Sequence, residues 1–592
     1  MDEFQRRRIQ QMLDDASDEE IWGDISSDEN EDAEQSQVSN HDTDTEQSGY
    51  SDEDNGITRD TIDVCDEKSY HESDDDLPLA MRLVDSYYGK DGTKWNREKP
   101  LQIRRAYAQN VLTEKSGVKE TARQAKTILD SWYIFFPKSM LEIIVKCTNV
   151  YIQKVRPNFT RERDASDTNI AEIKAVIGIL YMIGAIKCGH RSSEDLWKKD
   201  GTGAELFSCV MSERRFRFIL RYIRFDDVRG RSERQKIDKI THIRTIFEMF
   251  VSSCKTAYSM SEYTCIDEKL QAFRGKCSFR QYIPSKPAKY GIKIFALCDN
   301  LNFYTGNLEI YAGTQPDGPF KVDNGAASVV KRLIQPISKT GRNVTTDNWF
   351  TSVELANDLQ KTHKLSLLGT LRKNKRQIPP EFTQTKHRII TSSYFAFSKN
   401  QTLVSYMPKK NKIVLVLSTM HFDKAIDTNT NEARKPEIIT LYNATKGAVD
   451  NMDRMTENYT VARKSFRWPL TVFYSMLNIG GVNAQIIYQE NCPNNKKTRL
   501  DFLKCLSREL MKEHMEYRCT IISLPKEIKN KIVKYGFHVN ATEEIQRFRQ
   551  SGRCSFCDRN KDRKTTKVCT NCARLICRDH LIEMCPSCCE EM

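Results

Sequence analysis

No stretch of this 592-residue chain is continuously apolar for long enough to cross a bilayer. The longest apolar run, 175–186, is bounded by Lys174 and Lys187 and falls short of the roughly 20 residues that a spanning helix needs. Met1 is followed by Asp2, Glu3 and then Arg6, Arg7 and Arg8, with none of the apolar core of a secretory signal. A soluble intracellular protein without a membrane partner is therefore expected. Residues 1–80 have few apolar side chains and many Asp, Glu, Ser, Asn and Thr, so burial cannot offset their ordering entropy and disorder is expected. The chain has no internal repeat, and no Ser–His or Cys–His arrangement that points to a covalent enzyme intermediate.

What is present is size and uneven charge. Hydrophobic residues make up 39% of the chain, enough for sizeable cores, and its length suggests three or four domains of about 150 residues each. The formal charge of +12 conceals an asymmetry: residues 1–80 carry 27 acidic against 5 basic residues, a balance of −22, which leaves +34 on the rest. A solvated surface with an acidic tail is the plainer reading, but an excess of this size attracts phosphate backbones, and nucleic acid is the favoured partner. Ser17, Ser51 and Ser73 each precede an acid by three residues, a pattern suited to an acidophilic kinase. The head is read either as a solubiliser or as an arm that folds back on the basic body and competes with DNA.

Apolar spacing predicts helices at 139–154, 169–186, 212–224 and 243–254, with Ser212 as a cap. Arg214, Arg215, Arg217, Arg221 and Arg224 are candidates to face DNA or simply water. From 263 the pattern changes to strands at 263–273, 290–299 and 303–312, a helix at 326–337, a strand at 343–346, a helix at 353–361 and a strand at 365–371. This is an α/β layer with a mixed sheet. A β-rich insertion is expected at 372–440, with strands at 394–397, 402–407 and 413–417, and then helices near 446–457 and 470–489. The expected parts are an acidic region 1–80, a helical domain 95–262, an α/β core 263–371, the insertion 372–440, a last core helix in 441–460, a second helical part 461–535, a linker 536–553 and a cysteine-rich module 554–589.

Four aspartates stand out. Asp267 lies in the first predicted strand, Asp347 ends the fourth, and Asp450 and Asp453 stand three apart on a predicted helix, on one face. Each alone is most simply a strand-end turn or a charge in a first helical turn. If the first and fourth strands are neighbours, however, Asp267 and Asp347 converge at one edge and the helix delivers the other two. Such a carboxylate cluster suits two Mg²⁺ ions, with Mn²⁺ able to substitute.

The cysteines are also uneven: of 19, eight fall in 554–589. Cys554, Cys557, Cys569, Cys572, Cys577, His580, Cys585 and Cys588 form four pairs, each separated by two residues, a strong signal for structural Zn²⁺. The short middle spacing favours a cross-brace, with Cys554, Cys557, Cys577 and His580 on one ion and Cys569, Cys572, Cys585 and Cys588 on the other. Cys589 is an alternative to Cys588, and a redox role is the competing reading. A module this small needs its metal to fold. The basic residues around it favour DNA over a ubiquitin-ligase or histone-reading role, and 561–567 suits nuclear import.

The segments Cys265-Ile266-Asp267-Glu268, Phe273-Arg274-Gly275-Lys276, Tyr282-Ile283-Pro284, Lys289-Tyr290-Gly291-Ile292-Lys293, Asp347-Asn348-Trp349-Phe350-Thr351-Ser352, Gly369-Thr370-Leu371-Arg372-Lys373-Asn374-Lys375-Arg376 and Tyr442-Asn443 through Asp450 resemble piggyBac-family transposases. The resemblance implies an RNase H-like core interrupted by an insertion and preceded by a helical dimerisation and DNA-binding domain. It implies Asp267, Asp347 and Asp450 as catalytic aspartates, with Asp453 as a further essential carboxylate. It also implies Mg²⁺-dependent release of a transposon 3′-hydroxyl, a hairpin intermediate, joining at TTAA, and a tail that recognises transposon ends. Arg372, Lys373, Lys375 and Arg376 are expected at flanking or target phosphates. Arg274, Lys276, Lys286, Lys289 and Lys293 form a second expected DNA surface. A nuclear homodimer acting on double-stranded DNA is the expectation; the alternative is a catalytically silent, transposase-derived chromatin protein.

Overall fold

The β-branched and aromatic segments expected as strands form them, and they join in one mixed sheet. The computed structural model describes residues 37–38, 86–99, 112–284, 286–537, 552–561, 563–567 and 574–581. The acidic head with Ser17, Ser51 and Ser73, and the second zinc set of Cys569, Cys572, Cys585 and Cys588, lie outside the described residues. The core strands are β1 (Tyr263–Ala272), β2 (Gln281–Tyr282), β3 (Tyr290–Asp299), β4 (Thr305–Ile310), β5 (Asn343–Thr346) and β6 (Ser366–Thr370). β3 pairs antiparallel with β1, β2 and β4. β5 lies parallel between β1 and β6.

The segment 372–440, expected as a β-rich insertion, carries strands close to the expected ones and lengthens this sheet. β7 (Ser393–Phe397), β8 (Thr402–Lys409) and β9 (Lys412–Ser418) form an antiparallel meander, and β9 pairs with β6 at Leu368–Thr370. A bare edge would leave a row of backbone donors and acceptors unpaired; the meander takes up that of β6. Val404, Tyr406 and Val416 then pack with Leu368 beneath Ile438, Ile439 and Tyr442.

The principal helices are α1 (Lys138–Val155), α2 (Ile170–Ala185), α3 (Glu213–Tyr222), α4 (Arg244–Ala257), α5 (Ala326–Leu333), α6 (Val353–Lys361), α7 (Glu437–Thr445), α8 (Ala448–Asn458), α9 (Trp468–Asn491), α10 (Arg499–Thr520) and α11 (Lys526–Lys534). The helix expected near 446–457 is α8, and an unexpected helix, α7, precedes it, the two separated at Lys446–Gly447. α9 is long and apolar enough to cross a membrane by length and composition, but it is buried inside the protein. Its Asn483 is paired there: it accepts from the Thr305 N–H and donates to the Thr305 carbonyl, both at 3.0 Å. Gly480 lets α9 approach closely, since a Cβ there would stand 2.5 Å from the Phe136 ring.

The chain divides into two compact units. One contains Leu180–His190, Tyr222–Leu506 and the described part of Met1–Asp167; the other contains Thr168–Ile179, Arg191–Arg221 and the described part of Ser507–Met592. In the second unit, the Ser212 hydroxyl accepts from the Arg215 N–H at 3.3 Å and so caps α3. The arginine face of α3 is only partly available to a partner. Arg215 grips Glu172 through two hydrogen bonds of 2.7 Å, while Arg214 and Arg221 are exposed. In the first unit Arg224 is buried with its guanidinium 3.6 Å over the Tyr151 ring. Arg215 and Arg224 are thus structural arginines rather than the DNA-facing ones expected.

Candidate active site and metal centres

Strand register builds the centre of the site. Ile266 of β1 lies opposite Thr346 of β5 in a parallel pair, so the next residues, Asp267 midway along β1 and Asp347 just past the end of β5, stand side by side. Asp347 begins a tight turn: its Oδ1 accepts from the Trp349 and Phe350 N–H groups at 3.0 and 3.3 Å. The Thr351 hydroxyl donates to the Asp347 carbonyl at 2.7 Å, and Ser352 caps α6 through the Leu355 N–H at 3.1 Å. Gly369 on β6 is required there, because a Cβ would lie 2.8 Å from the Thr346 carbonyl oxygen and against the Thr351 hydroxyl.

The carboxylates that gather are Asp267, Glu268 and Asp347, whose ligand atoms lie within 4.8 Å of one another. Glu268 is not among the residues singled out from sequence. It is 1% exposed, and its Oε2 is buried without a hydrogen-bond partner. A signal was nevertheless available: Asp267-Glu268-Lys269 places three consecutive charges in a strand covered on both faces, and such charges are costly unless paired or bound to an ion. Burial, and then the Glu268 charge, hold the Asp267 carboxyl well above its usual range. Burial and Asp267 push Asp347 up to about 7, against the pull of the Phe350 and Trp349 N–H groups. Carboxyls crowded in this way either hold protons or share a cation, and the orphaned Glu268 oxygen fits a hard ion that takes oxygen ligands.

Asp450 and Asp453 stand outside that group, on α8; just before this helix, the Cys265 thiol of β1 donates to the Lys446 carbonyl at 3.0 Å. The Asp450 side chain is 63% exposed and 3.8 Å from the Lys286 ammonium. Asp453 instead receives a hydrogen bond from the buried Lys269 ammonium. The two helix aspartates therefore have different surroundings despite their spacing.

The cations expected on a DNA surface divide in the same way. Arg274, Lys276, Lys289, Lys373 and Arg376 are exposed and Lys375 is half-buried. Lys286 turns inward and donates to the Glu268 carbonyl at 3.1 Å. Burial works against its charge, but Asp267, Glu268, Asp450 and Asp453 outweigh that and raise its pKa. Lys293 corrects the expectation outright: it is 2% exposed, with its ammonium 5.4 Å from the Phe295 ring centre and 5.8 Å from those of Tyr311 and Trp349. Burial lowers its pKa to about 8, against Glu268, Asp347 and Asp267. It lies near the Glu268, Asp347 and Asp267 carboxylates. Arg372 donates to Asn348 at 3.3 Å, lining a hollow with Lys375, Arg376 and Glu354. Trp349, half-buried, stacks on Phe295 at 5.6 Å between ring centres.

In the tail, Cys554, Cys557, Cys577 and His580 come together within 4.8 Å. The Cys557 and Cys577 sulfurs are 3.6 Å apart. His580 Nδ1 lies 3.7, 3.6 and 3.3 Å from the sulfurs of Cys554, Cys557 and Cys577. Tetrahedral Zn²⁺ with bonds of about 2.3 Å to sulfur and about 2.0 Å to nitrogen spaces its ligands roughly 3.5–3.8 Å apart, so this set fits the ion.

A family model described as Transposase IS4 matches residues 129–485. Among solved structures, a cryo-EM structure of a piggyBac transposase synaptic complex with hairpin DNA is 34% identical, with a TM-score of 0.67, covering 80% of this chain and 100% of that one. The chain belongs to the piggyBac family of transposases. Two proteins of Homo sapiens are also similar. PiggyBac transposable element-derived protein 3 is 22% identical over 354 residues, 57% of this chain and 56% of that protein. PiggyBac transposable element-derived protein 5 is 22% identical over 407 residues, 65% of this chain and 75% of that protein. The chain thus spans about half the length of the first.

Proposed function

We propose that the protein is a cut-and-paste DNA transposase that frees a transposon 3′-hydroxyl, passes through a hairpin intermediate and joins the element at TTAA sites. The observation that carries this reading is the pair Asp267 and Asp347, one midway along β1 and the other just past the end of the adjacent parallel β5, side by side near the helix bearing Asp450. The core order β4-β3-β1-β5-β6, three antiparallel strands followed by two parallel ones, supports an RNase H-like reading. The 34% identical transposase, solved with hairpin DNA, supports the substrate class.

In this reading Asp267, Asp347 and Asp450 hold the catalytic Mg²⁺ ions, Mn²⁺ being able to substitute. When bound, the metal activates a water or 3′-hydroxyl as nucleophile and neutralises charge on the leaving oxygen. The chain's own residues prepare that chemistry. The Trp349 and Phe350 N–H groups orient Asp347, and Lys286 places its ammonium at the Glu268 carbonyl beside the acidic cluster. The exposed cations Arg274, Lys276, Lys289, Lys373 and Arg376, with Arg372 and Lys375, hold flanking or target phosphates. The tail carries two Zn²⁺ ions in a cross-brace and contacts transposon ends, and the helical parts around the core serve DNA binding and dimerisation in the nucleus.

The test is nicking and binding of transposon-end DNA by the purified full-length protein with Mg²⁺. Asp267→Ala, Asp347→Ala and Asp450→Ala should abolish nicking while binding stays near wild type. Nicking at the wild-type rate by any one variant removes that residue from the catalytic set. Tight end binding without nicking by the wild type overturns the reading in favour of a silent DNA-binding protein.

A further inference from the structure

We infer that Asp453 is not a cation ligand but half of a buried ion pair with Lys269, a clamp that fixes the helix bearing Asp450 against the strand bearing Asp267. The inference rests on the catalytic reading above and assigns a different role to Asp453, which the family resemblance implied as a further essential carboxylate. Lys269 follows Asp267 by two positions on β1, so the two side chains leave the same face of the strand. That is the face covered by α8, as the Lys269 contacts to Asp453 and Thr456 show. The Lys269 side chain is 5% exposed and that of Asp453 is 22% exposed. The ammonium donates to Asp453 Oδ1 and also reaches the Thr456 hydroxyl, at 3.3 Å. Thr456 in turn donates to the Asp453 carbonyl at 2.8 Å. One lysine of β1 is thus held by two residues of α8.

A carboxylate that serves an ion must keep its oxygens directed at that ion. Asp453 gives one to a buried ammonium and lies outside the group of oxygens gathered within 4.8 Å. Asp450 keeps its carboxylate exposed, and the Lys286 ammonium at 3.8 Å is beyond hydrogen-bond range. The two residues are separated by three positions on one helix, so anchoring Asp453 sets where Asp450 stands. Asp453 is a positioning residue, and so is Lys269.

The distinction can be tested because a buried ion pair and a metal ligand respond differently to paired replacement. Removing one partner of a buried pair leaves an uncompensated charge, whereas replacing both with apolar groups of similar size is often neutral. Full-length wild type, Lys269→Met, Asp453→Leu and the double variant would be compared by titration with Mn²⁺, following free Mn²⁺ by electron paramagnetic resonance, and by nicking of end DNA. Each single variant should lose about 10- to 100-fold in Mn²⁺ affinity, the range for losing a supporting partner of a metal site. The double variant should recover to within about threefold of wild type, as expected for an apolar replacement of the whole pair. Lys269→Arg, which keeps the charge, should bind Mn²⁺ nearly as wild type does, and it serves the same purpose if a single variant fails to fold. A double variant as weak as Asp453→Leu alone, or a Lys269→Met protein with unchanged affinity, would overturn the clamp. The Mn²⁺ titration is read whether or not DNA is cut. Absence of cleavage by the wild type therefore counts against the transposase reading alone, and failure of the double variant to recover counts against the clamp alone.

Discussion

Replacing Asp347 with Asn should make the metal-free protein more stable, even though it removes a proposed catalytic group. The folded state raises this carboxyl from 3.8 to about 7, through burial and the Asp267 charge. The difference is about 3 pH units at about 1.4 kcal/mol each, so the ionised group costs the fold at most about 4 kcal/mol. The sign follows from proton counting. Between the two pKa values the folded state holds a proton that the unfolded state has lost, so stability falls as pH rises through this window, and the loss is complete above about pH 7. Asn has the shape of the protonated acid, keeps an oxygen for the Trp349 and Phe350 N–H groups, and does not ionise. If relaxation and water halve the ceiling, the gain is about 2 kcal/mol; at about 2.1 cal/mol/K per residue, a unit of several hundred residues then raises its unfolding midpoint by about 2–3 °C. The assay is thermal unfolding in chelator at two pH values. The gain should be full at about pH 8 and roughly half of that at about pH 5.5, where much of the window has not yet been crossed. Millimolar Mn²⁺ should stabilise the wild type and leave Asp347→Asn unchanged. An Asn variant no more stable than wild type at the higher pH, or a gain independent of pH, would refute the claim that the site gathers uncompensated charge.

Other consequences are independent of that one. Gly369→Ala should lower stability by about 1–3 kcal/mol through overpacking, and should slow nicking more than binding, because the methyl group presses on the turn that holds Asp347; calorimetry and end-cleavage rates check both. Elemental analysis of the full chain should find two Zn²⁺ per molecule, and Cys577→Ser should remove one; a wild-type value of one would eliminate the second ligand set. Arg215→Ala leaves the partly buried Glu172 without its bidentate partner and should cost about 3 kcal/mol, with the loss seen in thermal unfolding, whereas Arg214→Ala should leave the midpoint in place and weaken DNA binding in a filter or anisotropy assay.

Where local chemistry decides the outcome, the chain was readable. β3 and β5 lie at the expected residues because β-branched and aromatic runs end there at turn residues. The first zinc set assembles as its paired spacing implied. The adjacency of Asp267 and Asp347 is a different kind of knowledge, since it depends on the pairing of strands far apart in sequence, and periodicity could state it only conditionally. Three features were hidden for physical reasons. Lys293, Arg215 and Arg224 read as surface cations because a long charged side chain carries no mark of whether the opposite face is covered. α7 was missed because Ile438, Ile439 and Thr440 favour strand locally, and packing over β6, β8 and β9 overrides that preference. Glu268 and Lys269 were overlooked because each has an ordinary role on a strand; only the run of three charges in a doubly covered strand marked them.

The most direct test of the account's central claim is product analysis on a denaturing gel, with duplex DNA carrying the element's own ends flanked by TTAA, the wild-type protein and Mg²⁺. The account predicts a nick at the 3′ end of the element followed by a hairpin-closed end, with neither product in chelator and neither from Asp267→Ala. Retarded DNA that stays uncut under the same conditions, or cleavage that persists unchanged in Asp267→Ala, would contradict it.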